Sequence, residues 1–330
     1  MTERALKVVC ITGWCRNGST IMGNVLNEVP GFFHVGELHF LWKNAAGLGA
    51  NNLCGCGRQL THCPIWSRIL PVGRPSGLSA EAHADMVIAR QRAYVRTRHT
   101  WRVLHRGLHC EGIREHALLM RQVYYAIAEL AGAGVLVDTN KIPGESALLS
   151  HIAGIAPYYV HLVRDPRAVA GSWHQPKDYA YAMSPSVSTA YWHGFNLASA
   201  AITRRHPRQS LTVRYEEFIA NPAVILAAIL RLCGAASSVI PLRGRVIDLG
   251  VNHTVTGNPD RFRNGPTVIR NADDSWRASL PAPARLAAAA LSWPLFWRYG
   301  YRYRGTFGAG PAGQDSRAAL QRGDGPGRAR

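Results

Sequence analysis

The stretch KVVCITGWCRNGST, Lys7 to Thr20, runs from an alternating, β-branched segment into a loop bounded by Gly13 and Gly18. Ile21, Met22, Val25, Leu26 and Val29 follow at helical spacing, so the segment reads as strand, loop, helix. A Walker A loop requires Gly, four residues, Gly, Lys and then Ser or Thr. Gly13, Gly18 and Thr20 keep that register, while Ser19 stands where the lysine belongs. Backbone N–H groups and the positive helix end can still cradle an anion there. The nearest replacement cation in sequence is Arg16, inside the loop. On this motif alone, a phosphate cradle and an ordinary glycine turn are equal readings.

Outward from the loop, Phe32–Val35 reads as a second short strand ending at Gly36 and Glu37, and Val135–Val137 as a third ending at Asp138. Tyr158–Val163 and Leu211–Val213 supply two more, each followed by a helical pattern. This alternation predicts an α/β, P-loop-like three-layer fold with a central, mostly parallel sheet. One domain is expected over 1–304. Residues 38–133 form a helical, cysteine-containing insertion within it, placed at a strand's carboxyl end where it can shape a pocket. A single helix is expected near Asp85–Arg106, its arginines read as a solvated face in preference to an acceptor-binding one. Residues 305–330, rich in Gly, Pro, Ala and Arg, read as a disordered tail.

The chain has 330 residues, a formal charge of +18 and a pI near 10.2, which point to an anionic partner without choosing among nucleotide, nucleic acid, anionic substrate and membrane surface. Its only lysines are Lys7, Lys43, Lys141 and Lys177 in an arginine-rich background. The N-terminus shows no signal-peptide pattern, and the late apolar run Leu286–Trp297 is short and broken by Pro294, so a cytoplasmic protein without a membrane span is expected. Seven cysteines without a secretion signal argue for free thiols. Cys54, Cys56 and Cys63, with His62, form one cluster. Its C-x-C spacing differs from a zinc knuckle and reads first as a tight structural loop, so no metal site is assigned.

Two further segments bear on chemistry. VHLVRDPRAVAGSW is an apolar strand followed by Arg164, with Pro166 at a first helical position and Ser172 two turns on. An arginine fork and a hydroxyl together suit a phosphate monoester. HTVTGNPDRFRNGP places Gly257, Asn258 and Arg261 in a loop that reads either as a nucleotide cover or as a surface turn.

In this order, the three segments resemble the sulfotransferases that use 3′-phosphoadenosine 5′-phosphosulfate (PAPS). FFHVGELHFLW and VLVDTNKIP, with the CGCG and CPIW elements between them, are similar to a bacterial branch that shares glutamate and lysine positions with the tyrosylprotein sulfotransferases. The resemblance implies that the first loop, through Arg16, Asn17, Gly18, Ser19 and Thr20, receives the 5′-phosphosulfate, although Asn17 departs from the serine common there. It implies that Arg164 and Ser172 receive the 3′-phosphate, that Tyr215 contacts the adenosine part, and that Gly257, Asn258 and Arg261 close over the nucleotide. Glu37 matches the catalytic base, Lys141 and Arg16 the cations at the transferred group, and no metal is required. His34 and His39 are alternative bases. The acceptor implied is a hydroxyl, or an amine, of a small molecule, glycoside or lipid; Trp42, Trp101, Tyr124 and Tyr125 line its pocket or fill the core. Two rivals stand beside this reading. A kinase would need the absent lysine and a Mg²⁺-binding carboxylate such as Asp138; a nucleic-acid-binding protein has the charge but no interleaved basic and aromatic module.

Overall fold

The computed structural model describes residues 5–176, 181–236, 240–270 and 274–302. The segment expected as a tail, 305–330, lies outside them, as does Lys177. The chain opens with β1 (Leu6–Thr12), α1 (Ser19–Asn27) and β2 (Phe32–Gly36). The excursion then carries α2 (Leu41–Ala45), α3 (Trp66–Ile69), α4 (Ala80–Tyr94), α5 (Thr100–Arg106) and α6 (Glu111–Ala131). It returns through β3 (Val135–Asp138), α7 (Pro143–Leu148), β4 (Ile155–Val163), α8 (Pro166–His174), α9 (Pro185–Arg205) and β5 (Ser210–Arg214). After α10 (Tyr215–Ala220) and α11 (Pro222–Leu232) come a two-stranded antiparallel ribbon, β6 (Val246–Leu249) with β7 (Gly265–Val268), and α12 (Trp276–Ser279), α13 (Ala282–Leu291) and α14 (Leu295–Arg298).

The main sheet has order β2-β3-β1-β4-β5, with every neighbouring pair parallel. Alternation along β1 decides the layering. Val8 and Cys10 join a core with Trp66, Val87 and Tyr124 of the excursion, whereas Val9 and Ile11 join one with Met22, Val25 and Leu26 of α1 and Leu226 and Ile229 of α11. A period of two therefore sends successive side chains into opposite layers. The result is the expected three-layer α/β fold. Because the chain leaves β1 toward β2 on one side and later places β4 on the other, the sheet's direction of growth reverses beside β1, where such folds open a crevice at the strands' carboxyl ends.

Two details differ from the sequence reading. The arginine-rich helix is two helices: α4 ends at Tyr94 and a short 3₁₀ turn over Thr97–His99 precedes α5. The break lets Val95 and Arg96 lay their carbonyls against Gly144, where a Cβ would come within 2.3 Å of the Val95 oxygen. The excursion's aromatics also divide: Trp42 and Tyr124 are core, while Trp101 is 47% exposed. Among the described residues, no helix is long and apolar enough to cross a membrane.

Candidate active site

The first loop turns on left-handed residues, Arg16 (φ 67°) and Gly18 (φ 87°), the latter capping α1. Gly18 is required twice. Its φ disfavours any side chain, and a Cβ there would lie 2.3 Å from the Tyr215 ring. Asn17 is buried, donates from Nδ2 to the Leu162 carbonyl at 2.7 Å and accepts the Ser19 N–H at 3.3 Å. Its amide therefore braces the loop from behind and does not line the cavity in front.

The cation missing from the loop arrives from another strand. At the end of β3, Asp138 Oδ1 accepts the Asn140 N–H and Asn140 Oδ1 accepts the Ile142 N–H, both at 2.8 Å, which folds the chain back over the loop. Lys141 Nζ then donates to Ser19 Oγ and, at 3.5 Å, to Asn17 Oδ1. Its ammonium thus rests on the residue that occupies the Walker lysine position. Lys141 is buried, which lowers its pKa, against the opposing fields of Glu37, Cys15 and Asp138.

Glu37 follows β2. Gly36 (φ 79°) lets the backbone of Val255 approach so closely that a Cβ would meet the Val255 oxygen at 2.2 Å. Val255 donates its N–H to Val35 and accepts that of Glu37, at 2.9 and 2.7 Å. The GNP loop is thereby stitched to the strand that presents the carboxylate. Burial raises the Glu37 pKa, opposed by the charges of Lys141, Arg261, Arg16 and His39. Glu37 and Lys141 line one cavity of about 150 Å³ with Cys15, Arg16, Ser19 and Thr20. Burial and the Glu37 charge push the Cys15 thiol up to about 12, so it stays protonated.

A second cavity of about 330 Å³ shares Arg16, Gly18 and Asn258 with the first and is lined by Arg164, Ser172 and Tyr215. Arg164 stacks its guanidinium 4.7 Å over the Tyr215 ring and donates to the Arg16 carbonyl at 3.0 Å. Pro166 begins α8 as its sequence suggests, and the Asp165 side chain caps that helix by accepting the Arg167 N–H at 2.9 Å. Gly257 and Asn258 edge the smaller cavity, but Arg261 lines neither. Its guanidinium donates to the Gly257 carbonyl at 2.6 Å and to Asn51 at 3.3 Å, so it ties the loop to the excursion instead of reaching outward.

Neither histidine shares the cavity of Glu37. His34 is buried against Gly23, contacts Asn24 and Thr139 through its two ring nitrogens, and is held by burial near a pKa of about 3. The strand ends at Gly36, so His39 lies on a 3₁₀ turn, where it contacts Glu145 at 2.8 Å and lines a third cavity of about 400 Å³. Asp138, the carboxylate a kinase would need, is buried and accepts from the Tyr124 hydroxyl at 2.5 Å and from Asn140, away from both smaller cavities.

The sequence reading missed Trp173, Asn51 and Thr256 in the smaller cavity and Trp276 in the larger. Trp173 adjoins Ser172 and takes the Arg16 guanidinium 4.8 Å over its ring, so a search for aromatic partners of the loop arginine could have found it. Asn51 stands three residues before Cys54, in a stretch read for its cysteines alone, and Trp276 in a segment with no motif.

The model of the sulfotransferase family matches residues 9–238, which span the loop, Glu37, Lys141, Arg164, Ser172 and Tyr215. The chain belongs to the sulfotransferase family. Among solved structures, the sulfotransferase domain from the curacin biosynthetic pathway is 15% identical at a TM-score of 0.52, covering 91% of this chain and 100% of that one. The sulfotransferase domain from the Synechococcus PCC 7002 olefin synthase is 20% identical at a TM-score of 0.47, covering 88% and 94%. At these identities the first likeness bears on the fold alone. No curated protein matches the chain. This sulfotransferase therefore has its family from sequence and its candidate site from geometry.

Proposed function

We propose that this sulfotransferase uses PAPS as donor and a hydroxyl, or an amine, of a small-molecule, glycosidic or lipid acceptor. The observation that carries the reading is the seating of Lys141 on Ser19 beside Glu37, next to a cavity walled by Arg164 and Ser172. The cavities suit the donor. The smaller offers the N-terminus of α1 with two cations, and the larger offers an arginine fork, a hydroxyl and an aromatic face. When bound, PAPS supplies the sulfuryl group.

Glu37 takes the acceptor proton, and burial raises its carboxyl above the ordinary range while Lys141, Arg261 and Arg16 favour the ionised form that a base needs. Lys141 and Arg16 hold positive charge where negative charge grows in transfer, as cations do in phosphoryl transfer. Arg164 and Ser172 bind the 3′-phosphate, and Tyr215 faces the adenosine. Asn17 positions Lys141 and Arg261 holds the Gly257–Asn258 cover, each acting through another residue. A kinase reading loses its metal carboxylate because Asp138 is already engaged by Tyr124 and Asn140.

The acceptor enters by the 400 Å³ cavity. His39 and Ile142, near neighbours in sequence of Glu37 and Lys141, are in its wall, and of its other lining residues Tyr191 stacks on Trp14 and Phe195 packs against it at a tilt, while Trp14 in turn stacks on Trp173 of the reaction cavity. Lys43, Arg92, Arg96 and Arg98 also line it, so an acceptor carrying an anionic group besides its hydroxyl fits best. Incubation with labelled PAPS and a panel of acceptors tests the function. A gain of about 80 Da on an acceptor supports it, the mass of one transferred sulfuryl group. Donor hydrolysis without transfer to any anionic or neutral acceptor contradicts the acceptor reading.

A further inference from the structure

The cysteine cluster gains a member that the sequence could not supply. Cys54, Cys56 and Cys63 converge on Nδ1 of His253, which lies 190 positions beyond Cys63, in the segment leading into the GNP loop. The four ligand atoms lie within 4.8 Å of one another. Cys54 and Cys63 sulfurs are 3.5 Å apart, and Cys56 and Cys63 sulfurs 4.0 Å. Nδ1 stands 3.2 Å from the Cys63 sulfur and 3.8 Å from that of Cys54. Four ligands at tetrahedral angles, with Zn–S about 2.3 Å and Zn–N about 2.0–2.1 Å, stand about 3.5–3.8 Å from one another.

We infer that Cys54, Cys56, Cys63 and His253 form a structural Zn²⁺ site that pins the cysteine loop of the excursion to the base of the GNP loop. Three soft thiolates and one imidazole are a donor set that selects zinc over hard cations. All four positions are filled by protein, so the site is closed and has no place for substrate. Zinc binding converts the thiols to thiolates, releases their protons to solvent and leaves the centre with a net charge of −1. Arg261, whose guanidinium feels the Cys54 sulfur and donates to the Leu53 carbonyl at 3.5 Å, offsets that charge.

The surrounding backbone is built to hold the ligands. Gly57 (φ 82°) closes a turn in which its N–H reaches the Cys54 carbonyl at 2.8 Å, and the Cys54 N–H reaches Arg58 at 2.7 Å. The Trp66 indole donates to the His253 carbonyl at 2.8 Å, and Gly55 donates to Thr254 at 3.0 Å. Val255, two residues past His253, is the residue stitched to Gly36 and Glu37. The metal therefore clamps a segment that ends in the candidate active site without entering it.

The test uses the full chain, expressed with zinc supplied and then freed of loosely bound metal. Elemental analysis should find one zinc per chain. Cys56→Ser, chosen because Cys56 is the least buried of the thiols, should lose most of it, while Cys110→Ser, outside the cluster, should keep it. Stripping with a strong chelator should lower the melting temperature and raise hydrogen exchange over 51–63 and 252–258, with Zn²⁺ but not Mg²⁺ restoring both. Cobalt substitution should give the intense visible bands of a tetrahedral thiolate site. Zinc-free protein with all its thiols free, or an intact mass two daltons low from a disulfide within the cluster, would overturn the site. So would unchanged zinc content in both Cys56→Ser and His253→Ala.

Discussion

Glu37 and Lys141 carry opposite charges and each favours the ionised form of the other, so substituting one should move the titration of its partner. With Glu37 as the proposed base, Glu37→Gln preserves shape and removes the proton acceptor, so turnover should fall about 10²–10⁴-fold while donor affinity stays close to that of the parent. A near-fully active Glu37→Gln protein would move the base elsewhere. The pH profile adds a signed test. Because the Glu37 pKa is raised, the acid limb of activity should lie above the ordinary carboxylate range, with activity lost as pH falls through it. Lys141 holds that pKa down, so Lys141→Met should shift the limb to higher pH as well as slow turnover. An unmoved limb would separate the two groups. These residues were singled out by the resemblance that their segments carry, and their placement after strands that the apolar pattern reveals added to it. The partners that give them meaning were not: Ser19 and Lys141 stand 122 positions apart, and no local spacing joins them.

At the scale of elements, the end of β3 couples the site to the core. Burial raises the Asp138 pKa from 3.8 to about 7, despite hydrogen bonds from Tyr124 and Asn140 that favour the ionised form. The folded state thus holds this proton more tightly than the unfolded one. The stability it contributes is full below the unfolded value and is lost as pH rises toward about 7. Asp138→Asn removes that titration, so relative to the parent its unfolding free energy should improve between about pH 4 and pH 8, read by urea denaturation at each. Parallel curves would contradict the assignment. Strands β1 to β5 were readable from alternation within about three residues at their ends. The break between α4 and α5 was not, since it is set by the close approach of Gly144, a tertiary contact. Nor were β6 and β7, a ribbon whose strands are only four residues each.

Across the whole molecule, the excursion does more than cover the sheet. Its helices share one core with β1, and its basic residues line the largest of the three cavities described. A solvated face was the reading from sequence for those arginines. In the structure Arg92, Arg96, Arg98, Arg102 and Arg106 are exposed, as that reading has it, and the half-buried Arg90 pairs with Glu115 at 2.5 Å; Arg92, Arg96 and Arg98 also border the cavity. Arg96→Ala and Arg98→Ala should therefore raise KM for an anionic acceptor with kcat nearly held, and leave a neutral analogue unaffected. Equal losses for both acceptors would remove the charge argument.

The central claim is that the chain binds a nucleotide through its 3′-phosphate, and calorimetric titration with 3′-phosphoadenosine 5′-phosphate, AMP and ATP tests it most directly. Arg164 and Ser172 line one cavity, and on the proposed reading the first nucleotide should bind far more tightly than the other two, since it alone carries a 3′-phosphate for them. Arg164→Ala should weaken it by about 1.5–3 kcal/mol, the range for a charged hydrogen bond, and leave AMP unchanged. Equal affinity for AMP and the 3′-phosphorylated nucleotide, or an Arg164→Ala protein with undiminished affinity, would contradict the account.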